Sequence, residues 1–150
     1  MQNTENTTPF VHTPIQIVLF RVLVAGLIGI HGWARLLADA IIPFGGFLDA
    51  QGFPFGVGIA WGITLLEIVG TILIMVGSRY TPFLCLVFAA IYVAGIVMVH
   101  APEGWFVVGL GRNGMEYSVL LIGSLLMIGH AHWQKSDDLD AVPERKNTDN

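Results

Sequence analysis

The stretch FGVGIAWGITLLEIVGTILIMVGS, residues 55–78, carries a single ionisable side chain, Glu67, among residues that are otherwise apolar, small or hydroxylic. It is long enough to cross a bilayer, whose hydrocarbon core takes about 20 helical residues. A charge in hydrocarbon costs roughly 3 kcal/mol on insertion scales. Glu67 therefore needs a partner on a neighbouring helix. Ala60, Thr64, Glu67, Gly70 and Thr71 fall on one side of such a helix. A small and polar stripe of this kind is the expected face of a helix–helix contact inside a membrane.

Three further apolar segments surround this one, at about 15–38, 80–100 and 114–133. The chain has 150 residues, of which 54% are hydrophobic and only 12% charged. A soluble domain is about 25% charged. The length accommodates about four spanning helices with short links and leaves no room for a second domain. The expected fold class is thus an all-α membrane protein, a four-transmembrane-helix bundle over 15–134. A polar leader (1–14) precedes it and a charged, disordered tail (135–150) follows. Pro14 and Pro54 sit where helices begin, a position that suits proline because its missing N–H is not needed there. The connector 42–55, IPFGGFLDAQGFPF, is too apolar for a solvated loop and is expected to lie at the interface or fold back over the bundle. Asn113-Gly114 reads as a turn. Counting Lys and Arg near the ends of the segments gives four on the side of the termini and two on the other. The positive-inside rule then puts both termini in the cytoplasm. The leader lacks a charged n-region, so the first helix is expected to stay as an anchor.

Several function classes are excluded. There is one cysteine, Cys85, so no internal disulfide or CxxC centre can form. No His/Cys cluster has zinc spacing, and no metal is expected. Lys and Arg are dispersed, with no basic stripe for nucleic acid.

The chemistry-bearing residues are Arg21, His31, Arg35, Glu67 and Glu116, all inside apolar segments. At about 100° per residue, Arg21, His31 and Arg35 share one face of the first helix, and Gly32 falls on the same side. By depth, the expected pairs are Arg21 with Glu67, and Arg35 or His31 with Glu116. Tyr117 would add a phenol hydrogen bond, and Arg112 would close the site from outside. Glu116, Leu120, Gly123 and Met127 share one side of the fourth helix. Gly26 and Gly29 would serve a homo-oligomeric contact if they face outward, or pack within the bundle if they do not.

Laid out this way, the chain resembles the DoxX family of small four-helix bacterial membrane proteins. The carriers are Arg21, the His31-Gly32 step with Arg35 following, Gly52-Phe53-Pro54, Glu67 within LLEIVGTILIMVG, and the Gly114-Met115-Glu116-Tyr117 start of GMEYSVLLIGSLLMIG. The end of the last segment, GHAHWQKSDDLD, departs from the Gly-rich close common in that family, and Arg35 stands where lysine is frequent. The resemblance covers about 15–133 and implies a multi-pass protein of the bacterial inner (cytoplasmic) membrane. It also implies an association with redox chemistry, as in the related thiosulfate:quinone oxidoreductase subunit.

The expected function is a redox-associated membrane subunit, with Glu67, His31 and Glu116 as catalytic candidates and Arg21, Arg35 and Tyr117 as cofactor-binding candidates. The cofactor is left open, with a quinone as the candidate: its carbonyl needs a donor, and its reduction takes up protons that a glutamate could relay. The lipid bilayer, a soluble redox enzyme and further copies of the chain are the expected partners. Two alternatives stand beside this reading. One is a small-molecule or proton permeation protein, since intramembrane charges mark such routes. The other is a non-catalytic scaffold using its acidic tail.

Overall fold

The structure is a computed structural model and describes residues 14–109 and 112–140. All regular elements among these residues are helical: α1 (Ile15–Leu37), α2 (Ile41–Ala50), α3 (Gly56–Leu65), a π-helical turn (Leu66–Gly70), α4 (Thr71–Val76), α5 (Thr81–Gly95), a second π turn (Ile96–His100), a 3-10 turn (Ala101–Glu103) and α6 (Glu116–Asp140). Segments α3 and α4 form one rod joined through the π turn, and α5 continues through the second π turn to His100.

The helix ends follow from local chemistry. Pro14 supplies the carbonyl that starts α1, accepting from Ile17 N–H at 3.0 Å. The α4 helix ends on Gly77 at φ 71°. Gly77 N–H donates to the Ile74 carbonyl and Ser78 N–H to the Leu73 carbonyl, both at 3.0 Å. This is the Schellman arrangement, in which a left-handed glycine ends a helix without a Cβ penalty. Pro82 lies in the first turn of α5. The Asn113 backbone is left-handed (φ 59°), as the turn reading of Asn113-Gly114 requires.

Packing runs along the chain. The α3–α4 rod lies against α1, α5 pairs with α6, and one core joins them through Val24, Ile28, Ile74, Phe88, Leu121 and Leu125. Three helices are long and apolar enough to cross a membrane: Ile15–Leu37, Gly56–Val76 and Thr81–His100. The molecule also turns its apolarity outward. Ile15, Leu19, Leu23, Ile30 and Leu65 are exposed, while Arg21, Thr64, Glu67, Thr71 and Thr81 are buried. In water that distribution would forfeit the hydrophobic driving force; in lipid it is the expected one, with polar side chains facing the bundle interior. Length, hydropathy and this distribution mark a multi-pass membrane protein.

The fourth apolar segment differs from the other three. Helix α6 is not among those long and apolar enough to span, and it carries Glu116, His130 and His132 toward its ends. Its helical path runs on to Asp140, into the segment expected as tail. The remainder of the tail, 141–150, and residues 1–13 of the leader lie outside the described residues.

The connector folds back. Its first part is α2, which buries Ile41, Gly45 and Leu48 and packs on the start of α3. Contact is close enough that a Cβ on Gly45 would stand 2.6 Å from the Val57 Cα. Asp49 then caps α3, its Oδ1 accepting from Gly56 N–H at 2.8 Å.

Candidate functional site

Glu67 sits inside the first π turn and is 6% exposed. A π turn inserts one extra residue into an α-helix and occurs often at functional positions. The widened turn is held by Thr71, whose hydroxyl donates to the Glu67 carbonyl at 2.5 Å and also reaches the Ile68 carbonyl at 3.2 Å. Across the helix contact, Arg35 Nη1 donates to Glu67 Oε2 at 2.7 Å and to Thr64 Oγ1 at 3.0 Å. The Thr64 hydroxyl donates onward to the Ala60 carbonyl at 2.7 Å. The Phe44 ring, from α2, lies under the guanidinium with its centroid 4.5 Å from Arg35 Cζ. A cation over an aromatic face adds electrostatic attraction that grows as water is excluded.

Glycines bring the two helices together. A Cβ on Gly32 would stand 2.8 Å from the Glu67 Cβ, and one on Gly29 would stand 2.9 Å from Thr71 Oγ1. Gly29 thus packs within the bundle, and Gly26 faces Met75. The pair is not sealed: the Arg35 side chain keeps 17% of its surface exposed, against 8% for Glu67. Among the described residues both bonds to Glu67 and Thr64 come from Arg35 Nη1, which leaves Nη2 and Nε free to donate.

The expected pairing is rearranged. Glu67 pairs with Arg35, not with Arg21. Arg21 is spent on the end of α4, where Nη2 donates to the Met75 carbonyl at 3.2 Å. That carbonyl is one of those the Schellman close leaves open, and a cation at a helix C-terminus also meets the negative end of the macrodipole. His31 is exposed and donates from Nδ1 to the Leu27 carbonyl of its own helix at 2.9 Å. The buried residues of α1 (Arg21, Val24, Ala25, Ile28, Gly29 and Gly32) span an arc from about −60° to about 80° relative to Arg21, and His31 at about −80° falls beyond its edge.

Glu116 meets neither Arg35 nor His31. Its Oε1 accepts from Val107 N–H at 3.1 Å, which ties the loop after α5 to the start of α6. The side of α6 bearing Leu120, Gly123 and Met127 is exposed, because Ser118, Leu121, Ser124, Leu125 and Ile128 form the buried one. Tyr117 is 38% exposed and, with Glu116, Val107, Val108 and Leu120, lines an open groove of about 460 Å³. Arg112 is exposed at the same end.

Two members of the site carried little signal in the sequence. Thr64 stands three residues before Glu67 on the small, polar stripe, so its face was legible while its role as a second acceptor was not. Phe44 comes from a segment whose helical fold-back was one of two open options.

The chain matches no family model, and no curated protein or solved structure is similar to it. What fold and site define together is a class: a multi-pass helical membrane protein with an arginine–glutamate pair buried between two of its helices.

Proposed function

We propose that this protein is a DoxX-like, four-span protein of the bacterial inner membrane, with both termini in the cytoplasm, acting as the membrane subunit of a quinone-linked redox system. The observation that carries the reading is Glu67: a buried carboxylate in a π turn, held by an arginine that retains unused donors. A quinone carbonyl could accept from Arg35 Nη2 or Nε while its ring lies against the apolar rim. Reduction to the quinol takes two electrons and two protons. The electrons would come from a soluble dehydrogenase partner, and Glu67 is the group placed to pass protons to the reduced oxygen. Arginine supports this better than lysine would, because its planar fork can serve Glu67 and a ligand at once. Membrane depth and an apolar setting suit a lipophilic substrate. The sequence resemblance supports the redox association, and the apolar centre of α6, packed on α5, supports its inclusion as a fourth span.

The test is purification in native lipid discs, followed by mass spectrometry of extracted small molecules. A stoichiometric quinone, lost in Glu67→Gln and in Arg35→Gln while the bundle stays folded, supports the proposal. Lipids alone, or a quinone retained by both variants, sinks it.

One observation favours a second reading. Arg35 is already served by Glu67, Thr64 and Phe44, which is the arrangement expected of a pair that fixes helix register. On that reading both variants shift the melting temperature and leave every redox readout unchanged.

A further inference from the structure

At the far end of the spans from Glu116, the turn between α4 and α5 closes over Arg21. The guanidinium packs directly on Gly77: a Cβ there would stand 2.6 Å from Nη1 and 2.9 Å from Cζ. Arg21 is 8% exposed and forms no ion pair among the described residues. Its bond to the Met75 carbonyl uses one of five N–H donors. Its Nε is buried with no partner.

Two more buried side-chain atoms without a partner flank the same turn. Ser78 Oγ is adjacent to Gly77, and Thr81 Oγ1 belongs to a residue with no exposed surface. Thr81 N–H donates to the Ser78 carbonyl at 3.0 Å, which keeps the two residues together. These three atoms are the buried side-chain polar atoms left unpaired among the described residues. Unpaired buried polar groups are costly and call for an unseen partner. A guanidinium and two hydroxyls form a donor set for an oxyanion. The start of α5 adds its dipole rather than free amides, since Thr81 N–H is taken by the Ser78 carbonyl and Pro82 has none.

Position narrows the oxyanion to one source. The cluster lies where one span ends at Val76 and the next starts at Thr81, the level of lipid headgroups. Next to Thr81, an apolar groove of about 240 Å³ opens between α5 and α6, lined by Pro82, Cys85, Leu86, Leu125, Gly129 and Trp133 among others. Cys85, buried four residues after Thr81, lines the groove on the α5 side. The geometry points to a specific site for a membrane phospholipid: its phosphodiester oxygens on Arg21, Ser78 and Thr81, and one acyl chain along the α5–α6 groove.

The experiment is native mass spectrometry of the purified full chain in detergent. Phosphatidylglycerol is titrated in one arm and soluble glycerol 3-phosphate in another. The site predicts one retained phosphatidylglycerol per chain and weak glycerol 3-phosphate binding. Retention should fall about tenfold in the near-isosteric double variant Ser78→Ala/Thr81→Val, the size expected from losing hydrogen bonds to a charged oxygen. It should fall further in Arg21→Gln and stay unchanged in Arg112→Gln at the opposite end. Equal retention in the wild type and the Ser78/Thr81 variant overturns the site. Glycerol 3-phosphate binding as tightly as the lipid overturns the lipid as its occupant. The Ser78/Thr81 variant keeps the test decisive if Arg21→Gln does not fold.

Discussion

Gly32 and Glu67 face each other across the contact between α1 and the α3–α4 rod, with a Gly32 Cβ position only 2.8 Å from the Glu67 Cβ. The same virtual Cβ lies 3.1 Å from the Thr64 carbonyl oxygen, which belongs to backbone and cannot swing aside. Gly32→Ala should therefore push the helices apart and lengthen the Arg35–Glu67 bond. Overpacking of this kind costs about 1–3 kcal/mol. Thermal unfolding in detergent should show a clear drop for Gly32→Ala. Gly62→Ala, where no atom lies within 4 Å, should show none.

The ion pair itself calls for a double-mutant cycle. Glu67→Ala leaves Arg35 without its carboxylate, and removing one partner of a buried pair costs about 3–5 kcal/mol. Arg35 keeps 17% of its side chain exposed, so the lower end is expected. Arg35→Met alone strands Glu67, which has less access to the outside. The double variant Arg35→Met/Glu67→Ala should be more stable than the sum of the two single changes predicts. Strict additivity in urea or thermal melts would show that the two side chains are not coupled.

Thr71→Val tests the π turn. The swap keeps the shape and removes the hydroxyl that serves the Glu67 and Ile68 carbonyls. A loss of about 1–2 kcal/mol is expected, because two buried carbonyls lose a hydroxyl donor that lipid cannot replace. Amide exchange of residues 66–71 should quicken, with little change in α5.

At the other end, Glu116→Ala should free the loop that follows α5. The Glu116 carboxylate accepts from Val107 N–H, and His100 Nδ1 donates to the Asn113 carbonyl at 2.7 Å. Limited proteolysis should cut between Glu103 and Met115 faster in this variant. Glu116→Gln retains an acceptor oxygen and should be cut at close to the wild-type rate. Unaltered cutting in Glu116→Ala would remove the proposed tie.

Much of the fold was legible because a bilayer imposes simple rules on composition. Segment length and apolar content located the three spans Ile15–Leu37, Gly56–Val76 and Thr81–His100 to within about two residues at each end. Glu67, Arg21 and Arg35 stood out as charges in the wrong solvent. Which of them would pair was harder to read. Angles taken from an ideal helix ignore the extra residue of the π turn, and depth arguments cannot foresee that an arginine will be taken by an open carbonyl at Met75. Glu116 was misassigned for a related reason: its partner is the Val107 backbone amide, and a backbone donor leaves no mark in the amino-acid sequence.

The π turn has a consequence at a distance. In an ordinary helix one more residue advances everything after it by about 100° around the axis and about 1.5 Å along it, and the π turn absorbs that residue in a single wider coil. Glu67 lies in that turn, while the Gly77 turn that seats Arg21 lies beyond it. The turn thus sets the phase between the two arginines of α1, each of which meets the same rod at its own height. Closing the π turn to ordinary helix with all its residues kept would advance Gly77 and Ser78 by about 100° and carry them away from Arg21, with the Arg35–Glu67 end left in place. Deleting one residue from 66–70 at the same time would restore their facing. One widened turn lets a single helix serve two cations at once.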